Sequence, residues 1–477
     1  MTTEQNNLIT PPPSNQKPGI FALFKQAIKG GHYDFTSGSI GIAAFILAVP
    51  MVLEMLMESV FAITDIFFVS GLGAEAVAVV GLTEAVLTLL YAVAIGLSMA
   101  VTATISRRYG EKNIEKANIV AGQTLWIGLF VAMLVGFIGL NFAEDILIMM
   151  GGSDTIVTAG KGYTTIMLTG SITILYLFLM NAIFRGAGDA SVAMRSLWLA
   201  NGINIVLDPL LIYGVGPFPE MGLTGAAVAT TIGRGIGVLY QLNHLFGIAG
   251  RIQIGVKHLW IKFSVIRTLL SLSLFGVIQF LIATASWIAL VRIVSTYGSE
   301  ATAGYTIAIR IFMFAILPAW GLSNAVATLV GQNLGAEKPD RAESSVKRIA
   351  KYNVYYMVGV AAILLLIPNQ IIGLFTNDPL VIKYGVDCLR LISLGNGFFA
   401  LGMVLVQAFN GAGDTKTPTK VNFLCYWLIQ IPLAYSLAKL LAFGPNGVFI
   451  SVTLAQAVFA YVGWQLFKKG QWKLKMV

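Results

Sequence analysis

Nine stretches of this chain contain no Asp, Glu, Lys or Arg: 85 to 106, 117 to 143, 162 to 184, 268 to 291, 311 to 336, 352 to 377, 391 to 413, 421 to 438 and 440 to 467. Crossing the hydrocarbon of a bilayer takes about 20 apolar residues as a helix, and nearly all of these runs reach that length. In lipid a helix satisfies its backbone N–H and C=O groups within one segment, so the runs predict membrane helices. Three further apolar segments, 40 to 69, 192 to 214 and 222 to 248, hold a few charges but have helical length, giving twelve expected spans. Charged residues are 11% of the sequence, against roughly 25% in a soluble domain, and the fold class expected is an all-α integral membrane protein.

The chain also repeats itself at a fixed offset of 225 residues. Gly96-Leu97-Ser98 returns as Gly321-Leu322-Ser323, Ala100-Val101 as Ala325-Val326, and Gly186-Ala187-Gly188-Asp189 as Gly411-Ala412-Gly413-Asp414. Gly73, Glu75, Ala76 and Ala78 find Gly298, Glu300, Ala301 and Ala303, so the register holds from residue 69 to about 189. Six spans per copy is an even number, so both copies enter the membrane the same way round. The expected architecture is therefore two parallel six-helix repeats, 39–248 and 264–468, flanking a central cleft. A cytoplasmic linker, 249–263, joins them, and tails 1–38 and 469–477 flank them. Residues 20 to 29 read either as a short amphipathic helix on the inner surface or as part of a mobile tail. The polar start, with Pro11-Pro12-Pro13, does not read as a cleavable signal peptide.

Lys and Arg fall in alternate connections, among them Arg107, Arg108 and Lys112, then Arg251, Lys257 and Lys262, then Lys338, Arg341 and Lys347. The intervening loops carry Glu144, Asp145, Glu220 and Asp378 instead. By the positive-inside rule both termini are expected in the cytoplasm, with the protein in the inner (plasma) membrane. The net charge of +9 is then a topology signal, and no nucleic-acid partner is implied. Cys388 and Cys425 with His32, His244 and His258 offer no metal-ligand spacing, and no cofactor is implied. No nucleophile and base pair marks an enzyme. The Gly, four residues, Gly-Lys-Ser/Thr pattern of a nucleotide site is absent, so uphill transport would draw on an ion gradient.

A carboxylate in hydrocarbon costs about 2.5 to 3.5 kcal/mol or more, which makes acids inside spans the candidates for ion coupling. The first span carries Glu54, Glu58 and Asp65. At about 100° per residue these fall within about 40° of one another, on one stripe facing one cavity or one neighbouring helix. Pro50 gives that helix a bend point. The fifth span presents Asn201, Asn204 and Asp208 on one face, a set suited either to holding a proton or small cation or to clasping a neighbouring helix. Glu84 either joins this cluster or pairs with Arg310 or Arg234. The second repeat has Gln279, Leu290 and Leu433 where the first has Glu54, Asp65 and Asp208, so coupling chemistry is expected in the first lobe, with Gln279 a possible additional site. In the Gly-Ala-Gly-Asp pairs the glycines are expected to end one helix and Asp189 and Asp414 to cap the next.

The chain resembles the multidrug and toxic compound extrusion (MATE) family over about residues 40 to 465. The resemblance rests on Thr64-Asp65-Ile66-Phe67-Phe68-Val69-Ser70-Gly71-Leu72-Gly73, Ser106-Arg107-Arg108-Tyr109-Gly110 with its counterpart Gly331-Gln332-Asn333-Leu334-Gly335, and Phe184-Arg185-Gly186-Ala187-Gly188-Asp189. Asn204-Ile205-Val206-Leu207-Asp208-Pro209 and Gly225-Ala226-Ala227-Val228-Ala229-Thr230 complete the set. The match is similar to the DNA-damage-inducible, proton-coupled type. That resemblance implies a proton site at Asp65, Asn181, Asn204, Asp208 and Thr230. Acids of the sodium-linked branch would fall on or near Gln279 and Phe399, so sodium coupling is the less expected alternative. The resemblance implies an antiporter, expected as a monomer, that exchanges external protons for cytosolic organic cations or amphiphilic drugs. A lipid-linked precursor flippase of the same superfamily is the rival, favoured by an arginine-rich cleft and opposed by the acid-rich first span. Some aromatic side chains should line the cleft, but the sequence does not single them out.

Overall fold

A computed structural model describes residues 19–31, 33–247 and 250–475. The proline-rich start of the tail, His32 and residues 248–249 at the head of the linker lie outside the described residues. No strand occurs among the described residues. A short helix, α1 (Ile20–Lys29), precedes the first repeat. That repeat comprises α2 (Ile40–Ser70), α3 (Ala74–Gly110), α4 (Ile114–Met149), α5 (Asp154–Thr169), α6 (Ser171–Ala187), α7 (Ala190–Ile212) and α8 (Gly222–Phe246). Helices α5 and α6 together make one span, so the repeat crosses six times.

The second repeat opens with α9 (Phe263–Ser295), α10 (Ser299–Gly335) and α11 (Pro339–Leu366), followed by the short α12 (Pro368–Gly373). Its fourth span is a pair, α13 (Pro379–Ser393) and α14 (Asn396–Gly411), bent by 56°. The fifth runs over Lys416–Leu440 through α15 (Lys416–Asn422), a π-helical stretch Phe423–Gln430 and α16 (Ile431–Tyr435). The last is α17 (Pro445–Lys468). Two uncharged runs proved poor guides to helix ends. The run 352 to 377 crosses the break at Ile367-Pro368, where proline cannot continue the helix, and α11 instead starts among the charges after Lys338. The run 391 to 413 is only the second half of its span, whose first half carries Lys383, Asp387 and Arg390.

The repeat holds in the backbone itself. Gly188 and Gly413 end α6 and α14 at φ of 84° and 83°, a left-handed conformation that favours glycine. The next step departs from expectation. Asp189 stands at the start of α7 but its carboxylate accepts from the Ser191 hydroxyl at 2.8 Å, and no backbone N–H bonds to it. Asp414 is not a cap at all: Thr415 occupies that position, and Asp414 takes the Thr417 hydroxyl at 2.7 Å and the Lys475 ammonium at 3.6 Å. Short hydroxyl side chains two and three residues on compete for the two carboxylates.

The lobes pack crosswise, α3 of the first against α9 of the second and α10 of the second against α2 of the first. Glycine permits this. A Cβ at Gly96 would come within 2.6 Å of Val277 N, and one at Gly321 within 2.7 Å of Met51 O. Tighter still is the end that carries the basic loops, where a Cβ at Gly110 would stand 2.0 Å from Gln332 O and one at Gly335 2.2 Å from Arg107 O. There Thr328 donates to Arg185 O at 2.9 Å and Gln332 to Gly186 O at 3.0 Å, so the lobes are clamped together. The segment before α2 bridges the same end: Arg251 donates to Tyr33 O at 3.1 Å, while Lys338 donates to Thr36 O at 2.9 Å. At the chain's other end Arg107 holds Lys475 O at 2.8 Å, and the hydrogen bond from Lys473 to Glu343 raises the ammonium above its usual range.

Candidate functional site

Above this clamp a cavity of about 360 Å³ lies between the lobes. The first lobe lines it with Glu54, Glu58, Tyr91, Phe178, Asn181, Arg185 and Arg234, and the second with Trp320, Asn324, Gln407 and Asn410. Every ionisable side chain in this lining belongs to the first lobe. The aromatic members include Tyr91, Phe178, Phe280 and Trp320, which give the cavity apolar and π surface.

Glu54 is 2% exposed, and its Oε1 accepts from Asn181 Nδ2 at 2.9 Å with Arg185 Nη1 at 4.0 Å. Asn181 Oδ1 accepts in turn from Gln241 Nε2, linking α2, α6 and α8. One helical turn further along α2, Glu58 Oε2 accepts from Asn201 Nδ2 at 3.3 Å. These groups form a carboxylate lining whose charge is partly balanced by Arg185.

A second polar group sits between α7 and α8. Asn204 Nδ2 is shared between Asp208 Oδ1 at 3.2 Å and Thr230 Oγ1 at 3.1 Å, and Asp208 is fully buried. The two helices can approach because of Gly233, where a Cβ would come 2.6 Å from Ala200 O. Asp208 Oδ2 has no protein partner among the described residues. Asp65, on α2, makes no hydrogen bond to protein among the described residues, but it lies within charge-interaction range of Asp208, Glu84 and Arg234.

The stripe expected on the first span is thus divided by its partners. Glu54 and Glu58 face the cavity, whereas Asp65 does not line it and stands toward Asp208. Asn204 and Asp208, placed on one face by their spacing, meet Thr230, which only the resemblance had put with them, but Asn181 does not join them: its amide is committed to Glu54 and Gln241. Glu84 is exposed on α3 with Asp65, Arg234 and Arg310 all in charge range, and it forms no ion pair with either arginine among the described residues. Gln279 is buried in α9 with its Oε1 unpartnered and lies outside the cavity lining, which takes the neighbouring Phe280 instead. Sequence reasoning passed over Gln241 and gave Arg234 only a pairing role. The signal was present: Thr230, Arg234 and Gln241 follow one another at four and seven residues, so they share one face of α8 just as Glu54, Glu58 and Asp65 share one of α2.

Two repeat-related six-span lobes around an internal cavity define a membrane transporter built from duplicated halves. The MatE family model matches the chain twice, over residues 50–210 and 277–436, once in each repeat, and the chain belongs to the MATE family. The chain is similar to the probable multidrug resistance protein NorM of Thermotoga maritima, 28% identical over 90% of this chain and 93% of the relative. It is also similar to the multidrug export protein MepA of Staphylococcus aureus, 23% identical over 90% of this chain and 93% of the relative. A FAD transporter of Shewanella oneidensis is 23% identical over 83% of this chain and 88% of the relative. Among solved structures, a MOP superfamily transporter from Pyrococcus furiosus, described as having a binding pocket of reverse polarity, superposes with a TM-score of 0.86 at 26% identity, covering 93% and 98% of the two chains. A MATE transporter in complex with MaL6 superposes with a TM-score of 0.86 at 26% identity, covering 92% and 99%. The chain is accordingly a multi-pass transporter of a multidrug efflux family, and not an enzyme.

Proposed function

We propose that this protein is an inner-membrane antiporter, with both termini cytoplasmic, that exchanges external protons for cytosolic organic cations or amphiphilic drugs. The observation that carries the reading is the one-sided placement of the acids. Glu54 and Glu58 in the cavity, and Asp65 and Asp208 beside it, all come from the first lobe, while the second lobe contributes uncharged Asn324, Gln407 and Asn410. Carboxylates at the cavity attract a cation, and protonation of Asp65 or Asp208 removes negative charge, weakens cation binding and favours release outside. The clamp at the basic-loop end then corresponds to a state closed to the cytoplasm, and deprotonation toward the cytosol restores the site. Asn204, Thr230 and Asn181 hold the acids in place.

The test is flux from proteoliposomes under imposed gradients. Export of a lipophilic cation driven by a proton gradient in sodium-free buffer is the expected outcome; strict dependence on sodium would overturn the proton assignment. Two arginines in the cavity, Arg185 and Arg234, favour a second reading, in which the guest also carries an anionic group. The FAD transporter relative and the reverse-polarity neighbour keep that reading in view, and export of an anionic rather than a cationic probe in the same assay would select it.

A further inference from the structure

Arg234 lies within charge-interaction range of both Glu58 and Asp65. It lines the cavity, and its guanidinium sits 5.6 Å from the ring centroid of Phe61. Phe61 lies on α2 between Glu58 and Asp65, three residues after one and four before the other, on the same stripe. Those two carboxylates are about 10 Å apart along the helix, so a guanidinium seated over the intervening ring is within a side-chain swing of either. Among the described residues Arg234 nevertheless makes no direct ion pair; its one hydrogen bond, to Tyr91 Oη, is long at 3.5 Å, and its Nη1 has no partner. The titratable and charged groups around it are Glu58 and Asp65 on α2, Glu84 and Tyr91 on α3, Tyr163 on α5, Asp208 on α7 beyond Asp65, and Arg310 on α10 beyond Glu84. A guanidinium keeps its charge and is therefore drawn to whichever neighbouring carboxylate is ionised.

We propose that Arg234 is a built-in competitor for the transported cation: it is drawn to Asp65 while that carboxylate is ionised, and moves over Phe61 onto Glu58 when Asp65 takes up a proton. In the first position Glu58 is free to face a cationic guest. In the second the guanidinium occupies the place of the guest's charge and expels it. Protons and substrate need not then share a residue, because one internal cation reports the state of the first site to the second. This role rests on the proton-for-cation reading and supplies its coupling step, as differential affinity in two states requires.

The experiment is calorimetric titration of the purified full-length protein with tetraphenylphosphonium at about pH 7.5 and about pH 5.5, where linkage makes the affinity depend on proton occupancy. The wild type should bind about tenfold more weakly at the acid pH, within the usual range of coupling between sites. Arg234→Gln should lose that difference, its two affinities agreeing within about twofold because acid-pH binding has tightened. Arg234→Lys keeps a mobile cation and should retain most of the difference. If Arg234→Gln fails to insert, Glu58→Gln, which removes the landing carboxylate, carries the same expectation of a lost difference. A glutamine variant with the full wild-type difference overturns the role of Arg234 while leaving the exchange reading intact. A wild type that binds equally at both pH values overturns the exchange reading and this role with it.

Discussion

Lys112 and Glu337 stand 225 residues apart and turn the chain at φ of 58° and 57°; Gly73 and Gly298, at the same offset, open α3 and α10 at 99° and 110°. The two lobes share their backbone but not their chemistry. Glu54, Asp65, Asp208 and Arg234 in the first correspond, at the 225-residue offset, to Gln279, Leu290, Leu433 and Phe459 in the second. Their shapes diverge as well. Gly170 and Gly395 are repeat partners at the middle of the fourth span of each lobe, yet α5 and α6 pass as one span while α13 and α14 bend by 56°. The regular α7, with its Asn and Asp face, corresponds to a span interrupted by π-helical turns at Phe423–Gln430 and Ser436–Leu440. Glycines and turns fix how the helices cross and were kept in both copies. The ionisable groups that line the cavity, which packing does not require, come from one copy only. The irregular backbone, of the kind associated with functional hinges, is in the other.

The division of labour is broken most directly at Asp65. Asp65→Asn keeps size and hydrogen-bonding capacity but removes the titratable charge, so export of a lipophilic cation from vesicles should fall by about a hundredfold or more. Membrane insertion and thermal stability should be unchanged. Normal, pH-dependent efflux by a correctly inserted Asp65→Asn protein would place the coupling site elsewhere, and the comparison between lobes would lose its functional meaning.

If the scaffold is equivalent in both copies, Gly110→Ala and Gly335→Ala should behave alike. Each new Cβ meets backbone, at 2.0 Å from Gln332 O and 2.2 Å from Arg107 O, which no side-chain rotation relieves. Overpacking of this kind costs about 1 to 3 kcal/mol, enough to shift a two-state equilibrium by about fivefold to a hundredfold toward the state in which that end is open. Spin labels at positions 112 and 337 should report a longer separation in both variants. A large shift in one and none in the other would show that the clamp is asymmetric despite its matching sequence.

Glu54→Gln sharpens the comparison, because it writes into the first lobe the residue already present at Gln279. The Asn181 hydrogen bond at 2.9 Å can be retained, while Arg185 at 4.0 Å loses its counter-charge. Export should fall about threefold, or its pH optimum should move, with the fold intact, since the pair is buried but not in close contact. A loss as complete as that of Asp65→Asn would make the cavity acid, and not the Asp65 group, the coupling centre.

The fold was almost wholly legible from the sequence because bilayers impose one rule on every span. Its errors fell where charge and helix boundary part company, at Ile367-Pro368 and over Pro379–Ser393. The site was legible by stripe but not by partner. The face of α2 was clear from the spacing of Glu54, Glu58 and Asp65, whereas which acid meets the cavity depends on where α6, α7 and α8 stand around it. Asn181 shows the limit. Nothing in Asn181 or its neighbours in sequence marks it as the partner of Glu54, since that contact joins residues 127 apart and is completed by Gln241 from a third helix.

The smallest effect belongs to the repeated Gly-Ala-Gly-Asp motif, whose appearance in both lobes marks it as scaffold. Asp189 Oδ1 accepts from the Ser191 hydroxyl at 2.8 Å, a bond that the amide oxygen of asparagine accepts equally well, and Asp189 forms no ion pair among the described residues. Asp189→Asn should therefore leave thermal stability within about 0.5 kcal/mol of wild type and export within about twofold. Its repeat partner differs in one respect, because Asp414 also faces Lys475 at 3.6 Å and the lysine is partly exposed. Pairs of that kind contribute about 0 to 1 kcal/mol, so Asp414→Asn should cost slightly more than Asp189→Asn, and the excess should shrink in high salt. Melting curves at low and high ionic strength measure both quantities. Abolished export in Asp189→Asn with an unchanged melting curve would mean that the motif carries chemistry after all, and that the functional residues are not confined to the positions where the two lobes differ.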